Sequence, residues 1–302
     1  MSARQRAWLQ IHACTVLWGF TAVVGKLIHL PALPLVWWHM LLVTGFLLFL
    51  PGFWRGVRRM SLRLIGIYAA IGVVIALHWV AFYGSIKLAN ASVAATCLAL
   101  TAVFLAFVEP VMTARRFNVR ELLFAVSALP GVAFVIGGTP HAMHAGIAVG
   151  TLAAFTGAVF SSLNERYIHD SNALAVTGIE MGAGALVLTV LGPLLPASER
   201  PWQTPDPHDM ALLLTMAVVC TLLPFAMWLA SLRHLSALST ALATNMEPVY
   251  AVLLASLLLG EQHQLSAWFY GGVAIVVAVA FGHPFLQRST PLPIEPSNLP
   301  NT

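Results

Sequence analysis

Ten stretches of about twenty apolar residues, separated by short breaks, leave this chain few folds to choose from. They lie near 8–29, 34–54, 63–86, 90–113, 119–138, 146–168, 173–195, 209–233, 236–259 and 264–286. At about 1.5 Å per residue, each can cross the ~30 Å hydrocarbon core of a bilayer as a helix. Composition closes off the soluble alternative. Of the 302 residues 59% are hydrophobic and 9% charged, against about 25% charged in ordinary soluble domains. Hydrocarbon offers no water to a backbone N–H or C=O, and a helix satisfies both within itself. The expectation is an all-α integral membrane protein of ten transmembrane helices.

The breaks are made of helix-stopping residues: Pro31 and Pro34, Pro51-Gly52, Gly138 to Pro140, and the proline-rich Pro196–Pro207. The first apolar run follows Arg4 and Arg6 without a persuasive cleavage site, so it reads as an uncleaved first span. Residues 289–302 are proline-rich and lack an apolar period, the signature of a disordered tail. Cys14, Cys97 and Cys220 each fall inside an apolar run, with neither disulfide nor metal-site spacing.

Basic residues orient the chain. With the N-terminus in the cytoplasm, Arg4, Arg6, Arg55, Arg58, Arg59, Arg63, Arg115, Arg116, Arg120, Arg166, Arg233 and Arg288 lie inside. Only Lys26, Lys87 and Arg200 then lie outside, as the positive-inside rule requires. The basic pI of about 9.3 is therefore read as arginines flanking spans, not as a nucleic-acid surface. Both termini are expected to be cytoplasmic, in a multi-pass protein of the cell (cytoplasmic or inner) membrane.

The chain also repeats itself. A shift of 146 residues lays Ser85-Ile86-Lys87 on Ser231-Leu232-Arg233 and Val103-Phe104 on Val249-Tyr250. Five spans per half force the second half to enter the membrane upside down. The loop with Arg115, Arg116 and Arg120 accordingly has a counterpart with Glu261, Gln262 and Ser266. The reading is an inverted five-plus-five repeat, with one unit over 1–140 and the other over 141–288.

Ten spans in two halves, with Leu17-Trp18-Gly19 and Lys26 in the first span, resemble the drug/metabolite transporter superfamily and its EamA-type members. Glu247-Pro248-Val249-Tyr250 and Leu257-Leu258-Leu259-Gly260-Glu261 carry the same resemblance, which runs over roughly residues 8–286. One departure is Ala102-Val103-Phe104, where the family pattern reads Pro-Val-Phe; here the proline stands at Pro110. The resemblance implies secondary transport of small metabolites, often export.

Candidate functional residues are the polar groups inside spans, because a charge at the bilayer centre costs at least ~2.5–3.5 kcal/mol and is kept for a cavity or a partner. Glu247 leads. With Ser236, Thr240 and Thr244 it forms a polar stripe at i, i+4, i+8 and i+11, and Pro248 removes a backbone donor beside it. Thr244, Asn245, Glu247 and Tyr250 are expected to touch substrate. Glu247, His78 and Glu180 are the candidates for proton coupling. Glu180 sits among small residues, and packing is the competing role. Glu109 lies near the inner span end, where pairing with Arg115 and Arg116 is the plainer reading. His39, and the face of span 3 that carries His78, Trp79 and Tyr83, are expected to line a cavity together with Trp18; an aromatic packing face is the alternative. Lys26 and Lys87 read as side chains snorkelling to the headgroups. Trp37, Trp38 and Trp54 read as interface belt residues. The His141-x-x-His144 pair lacks a third ligand nearby, so no metal site and no cofactor are expected.

These features favour a secondary active transporter of small organic metabolites such as amino acids, an exporter working by alternating access with proton coupling. An intramembrane enzyme finds no Gly-x-Ser-x-Gly elbow or His-Glu-x-x-His helix. A facilitative, channel-like carrier stays open, as does a homodimer. The expected partners are a small-molecule substrate and the lipid bilayer, without nucleic acid. No Walker A sequence is present to hydrolyse ATP, which leaves ion or substrate gradients as the energy source.

Overall fold

The computed structural model describes residues 3–113, 117, 119, 123, 126–167, 172–231, 243, 244 and 246–287. Among these every regular element is helical. In chain order they are α1 (Ala3–Leu27), α2 (Ala32–Leu48), α3 (Pro51–Val57), α4 (Leu62–Leu88), α5 (Ala91–Leu98), α6 (Thr101–Thr113) and α7 (Leu129–Gly137). Then come α8 (His144–Tyr167), α9 (Ala173–Leu191), α10 (Pro207–Ala217), a π turn (Val218–Leu222), α11 (Leu223–Ser231), α12 (Glu247–Leu259) and α13 (Ala267–Gln287).

Six of the described stretches are long and apolar enough to cross a membrane: Gln5–Leu27, Leu62–Leu88, Ala91–Thr113, His141–Tyr167, Ala173–Leu194 and Pro207–Phe225. Glu247–Leu259 and Ala267–Val279 are shorter apolar helices, and the span expected at 119–138 is described as a helix only over Leu129–Gly137. The second expected span, 34–54, is shorter than the sequence suggested. It ends at Leu48, and α3 leaves it at 91°. The cause is local: Leu50 is extended ahead of Pro51, and proline starts α3 where its missing N–H costs nothing. The tail 289–302 lies outside the described residues.

Packing couples the two halves by a rule. Helix α1 packs on α12, as α8 packs on α5 and α6; α4 packs on α8, as α11 packs on α1. Shifted by half the chain, each couple is one contact made twice. The repeats also run in opposite senses. The end of α1 meets the start of α10, where the Asp209 carboxylate accepts the His29 and Leu30 N–H groups at 2.9 Å each. The equivalent meeting joins the end of α8 to the start of α4, where the Tyr68 hydroxyl donates to the Tyr167 carbonyl at 2.7 Å. Because the far end of α4 reaches back to Ile28 through Lys87, these two junctions lie at opposite ends of the molecule.

Helix caps set several of these ends. Ser61 accepts the Leu64 N–H to start α4, Asn90 accepts that of Val93 to start α5, and Asp206 accepts that of Asp209 to start α10. Glu261, fully buried, accepts the Ala91 and Ser92 N–H groups at 2.9 and 2.8 Å, so an acid from the second half closes a helix of the first.

Candidate functional site

The site begins at a break in a helix. After Ala243 and Thr244 the chain turns at Met246, and α12 starts at Glu247 with Pro248 in its first turn. The 236–259 span is therefore interrupted beside Pro248. The break is a matched pair of hydrogen bonds, Met246 N–H to Ala243 C=O at 3.1 Å and Tyr250 N–H to Met246 C=O at 3.0 Å.

The first half breaks at the same place. There α5 stops at Leu98 and α6 restarts at Thr101, which precedes Glu247 by 146 residues. Leu100 N–H reaches Cys97 C=O at 3.0 Å and Phe104 N–H reaches Leu100 C=O at 3.0 Å, the same bonds one repeat earlier. Helices α6 and α12 are both 13 residues long. Since the first break has no proline at its start, repeat geometry rather than proline chemistry sets its position.

Glu247 opens onto a narrow cleft with room for about one water, lined by Trp18, Ala22, Phe82, Ala95, Leu98, Pro248 and Ala251. Apart from the carboxylate the walls are largely apolar. Gly19 makes this possible: a Cβ there would press on the Ala251 nitrogen, the Tyr250 side chain and the Glu247 carbonyl. The absent side chain lets α1 lie against the first turn of α12 and brings Trp18 beside the acid. Trp18 also lines a second, roomier cleft with Leu47, Leu174, Thr177, Thr221, Leu222 and Phe225. The indole thus stands between two spaces. Two influences act on the Glu247 carboxyl group here. The helix start beneath it favours an anion, and the apolar walls disfavour any charge.

A second group packs beside this one. His39 is buried, stacks on Trp79 at 4.4 Å between ring centroids, and shares a hydrogen with Thr221 across 2.9 Å. Tyr83 stands edge-on to His39 and donates its hydroxyl to the Met216 sulfur at 3.1 Å. Thr221 lies in the π turn, whose wider i to i+5 bonding appears as Leu223 N–H to Val218 C=O, and its side-chain hydroxyl donates to the Met216 carbonyl at 3.0 Å. No pattern of residue types announced that turn.

The expected single face of α4 therefore divides. Phe82 lines the Glu247 cleft, and Trp79 and Tyr83 turn to His39. His78 faces α8, with Nδ1 2.7 Å from the Ala153 carbonyl and its ring edge-on to Phe160. Glu180 is buried deep on α9, its backbone carbonyl against Gly72, where a Cβ would not fit. Its Oε1 has no hydrogen-bond partner among the described residues. Tyr250 reaches His12 across 3.3 Å, and Thr244 is half-buried one turn before Glu247. Glu109 is buried on α6; Arg115 and Arg116, its expected partners, lie outside the described residues, as do Asn245, Ser236 and Thr240.

Lys26 and Lys87 find acceptors within the protein. Lys26 Nζ donates to the Ile86 and Ala89 carbonyls at 3.4 Å, and Lys87 Nζ donates to the Ile28 carbonyl. The tryptophans expected at the interface all find acceptors: Trp37 on Thr189, Trp38 on the Gln203 carbonyl and Trp54 on the Leu48 carbonyl. His144 turns to the Thr139 carbonyl and packs edge-on against His141.

The comparisons with known proteins agree with this architecture. No curated protein matches the chain. A solved structure described only as "Crystal structure of protein" aligns with a TM-score of 0.57 at 16% identity, covering 95% of this chain and 98% of that one. At that identity the likeness concerns the fold alone. The model of the EamA-like transporter family matches twice, over residues 6–137 and 144–281. The double match and the doubled helix break point the same way: the chain is a multi-pass membrane protein belonging to the EamA-like transporter family.

Proposed function

We propose that the protein is a secondary active exporter of small organic metabolites of the amino-acid class, working by alternating access and coupled to protons through Glu247. The observation that supports this reading is the position of Glu247, at the start of a broken half-helix, on a cleft otherwise walled by apolar side chains. A carboxyl group held between a helix start and apolar walls can load and release a proton as access changes sides. The apolar walls and the Trp18 indole suit the carbon skeleton of a substrate admitted as the narrow cleft opens. The two symmetric breaks supply equivalent bending points in the two repeats, so one half can open as the other closes. His78 and Glu180 are further candidates for carrying the proton. The arginine-rich end, with Arg55, Arg58, Arg59, Arg63 and Arg166, is the cytoplasmic one, in the cell membrane.

The test is transport in proteoliposomes with pooled amino acids, nucleobases, vitamins and sugars. Wild type should concentrate its substrate when a pH gradient is imposed. Glu247→Gln keeps the size of the side chain but removes titration; it should abolish that accumulation while exchange at zero gradient survives. Accumulation by Glu247→Gln equal to wild type would move the coupling site elsewhere, with His78 next in line.

A further inference from the structure

Away from the clefts, the turn after α1 and the start of α10 bring together His29, Asp206, His208 and Asp209. We propose that these four side chains form a binding site for a divalent transition metal of the zinc class, which ties the first repeat to the second. One ligand atom from each lies within 4.8 Å of those of the other three. The Nδ1 atoms of His29 and His208 approach the same oxygen, Asp209 Oδ1, at 3.2 and 3.4 Å. Ligands about 2.0–2.1 Å from a tetrahedral zinc ion lie roughly 3.3 Å apart, so the spacing already matches two edges of its coordination shell.

A simple ion pair would need one histidine; here two rings, 5.0 Å apart between centroids, converge on one oxygen. Asp209 is buried and fixed by the N–H groups of His29 and Leu30, the kind of outer-shell support that orients a metal-binding carboxylate. His29, Asp206 and His208 are exposed, which leaves an open path for an ion. Two imidazoles and two carboxylates suit zinc; calcium and magnesium prefer six or more oxygens. Each neutral ring can bind through Nδ1 by keeping its proton on Nε2. The site was hidden in the sequence because His29 stands 180 residues from Asp209.

The test does not depend on transport. Tag-free protein in detergent would be titrated with zinc chloride by calorimetry, and its melting temperature followed in parallel. One zinc per chain should bind, with a rise in melting temperature, while millimolar magnesium gives neither. His29→Ala with His208→Ala should weaken zinc binding by at least about tenfold and leave the metal-free melting temperature near wild type. His141→Ala with His144→Ala should bind as wild type does. If the double variant at 29 and 208 fails to fold, His208→Gln alone replaces it, with the same expected loss. Absence of zinc binding, equal binding of magnesium, or undiminished zinc binding in the histidine variant would overturn the proposal.

Discussion

Lys26 and Lys87 cap each other's helices. Lys26, in the last turn of α1, donates to the Ile86 and Ala89 carbonyls at the end of α4; Lys87, in the last turn of α4, donates to Ile28 just beyond α1. Two like charges are thus held near each other, each on the negative end of the neighbouring helix. Hydrogen bonds from charged groups contribute about 1.5–3 kcal/mol. Lys87→Gln should therefore destabilise the purified protein by about 1.5 kcal/mol or more. The double variant with Lys26→Gln should cost less than the two single losses added, because the pair shares one junction. Thermal unfolding in detergent checks this, and strict additivity would argue against the exchange.

The helix break before Glu247 should survive loss of its proline. Thr101 begins its half-helix without one, so Pro248→Ala is expected to keep transport within a few-fold of wild type, in contrast to Glu247→Gln. Initial uptake rates in proteoliposomes decide the matter. A loss as complete as that of Glu247→Gln would make Pro248 the cause of the break.

Thr221→Val should separate packing from hydrogen bonding in the aromatic group. It removes the partner of His39 Nε2 while Nδ1 already lacks one, which leaves a buried imidazole without a hydrogen bond. The expected cost is about 1–3 kcal/mol, the penalty for an unsatisfied buried polar group. His39→Ala, which also empties the stack on Trp79, should cost more, about 3–5 kcal/mol by analogy with other large-to-small core changes. Chemical denaturation of both variants gives the comparison.

Topology can be read by labelling. Gln262→Cys in a cysteine-free background should react with an impermeant maleimide on intact cells, and Arg58→Cys should react only after lysis. Gln262 follows Glu261, which caps α5 at the end where Lys26 and Lys87 lie; Arg58 follows α3 at the opposite end. The reverse pattern would turn the molecule over in the membrane.

Much of this was legible in the sequence because the bilayer imposes a length and a polarity on every span. Apolar runs revealed the helices, and the shift of 146 residues revealed the doubling. Glu247 stood out as a candidate because a carboxyl group inside an apolar run demands a reason. What stayed hidden depends on atoms far apart in the chain. Nothing near Lys26 or Lys87 says that each reaches the other's helix end, and Trp79 gives no sign that it turns to His39 while its neighbour His78 turns to Ala153. The bend after Leu48 was within reach, since Pro51-Gly52 was recognised as a breaker and yet placed inside a span.

The π turn lies in a stretch where the two halves differ in length. Ser61 and Asp206, which cap the equivalent helices α4 and α10, stand 145 residues apart. Thr101 and Glu247, which open the equivalent half-helices, stand 146 apart. Between those two landmarks the second half is one residue longer, and a turn bonded i to i+5 holds one residue more than an α turn. A bulge of this kind takes up one residue without rotating the rest of the span. It is also what sets Thr221 against His39, so the departure from symmetry gives the second repeat a polar contact that its twin cannot copy.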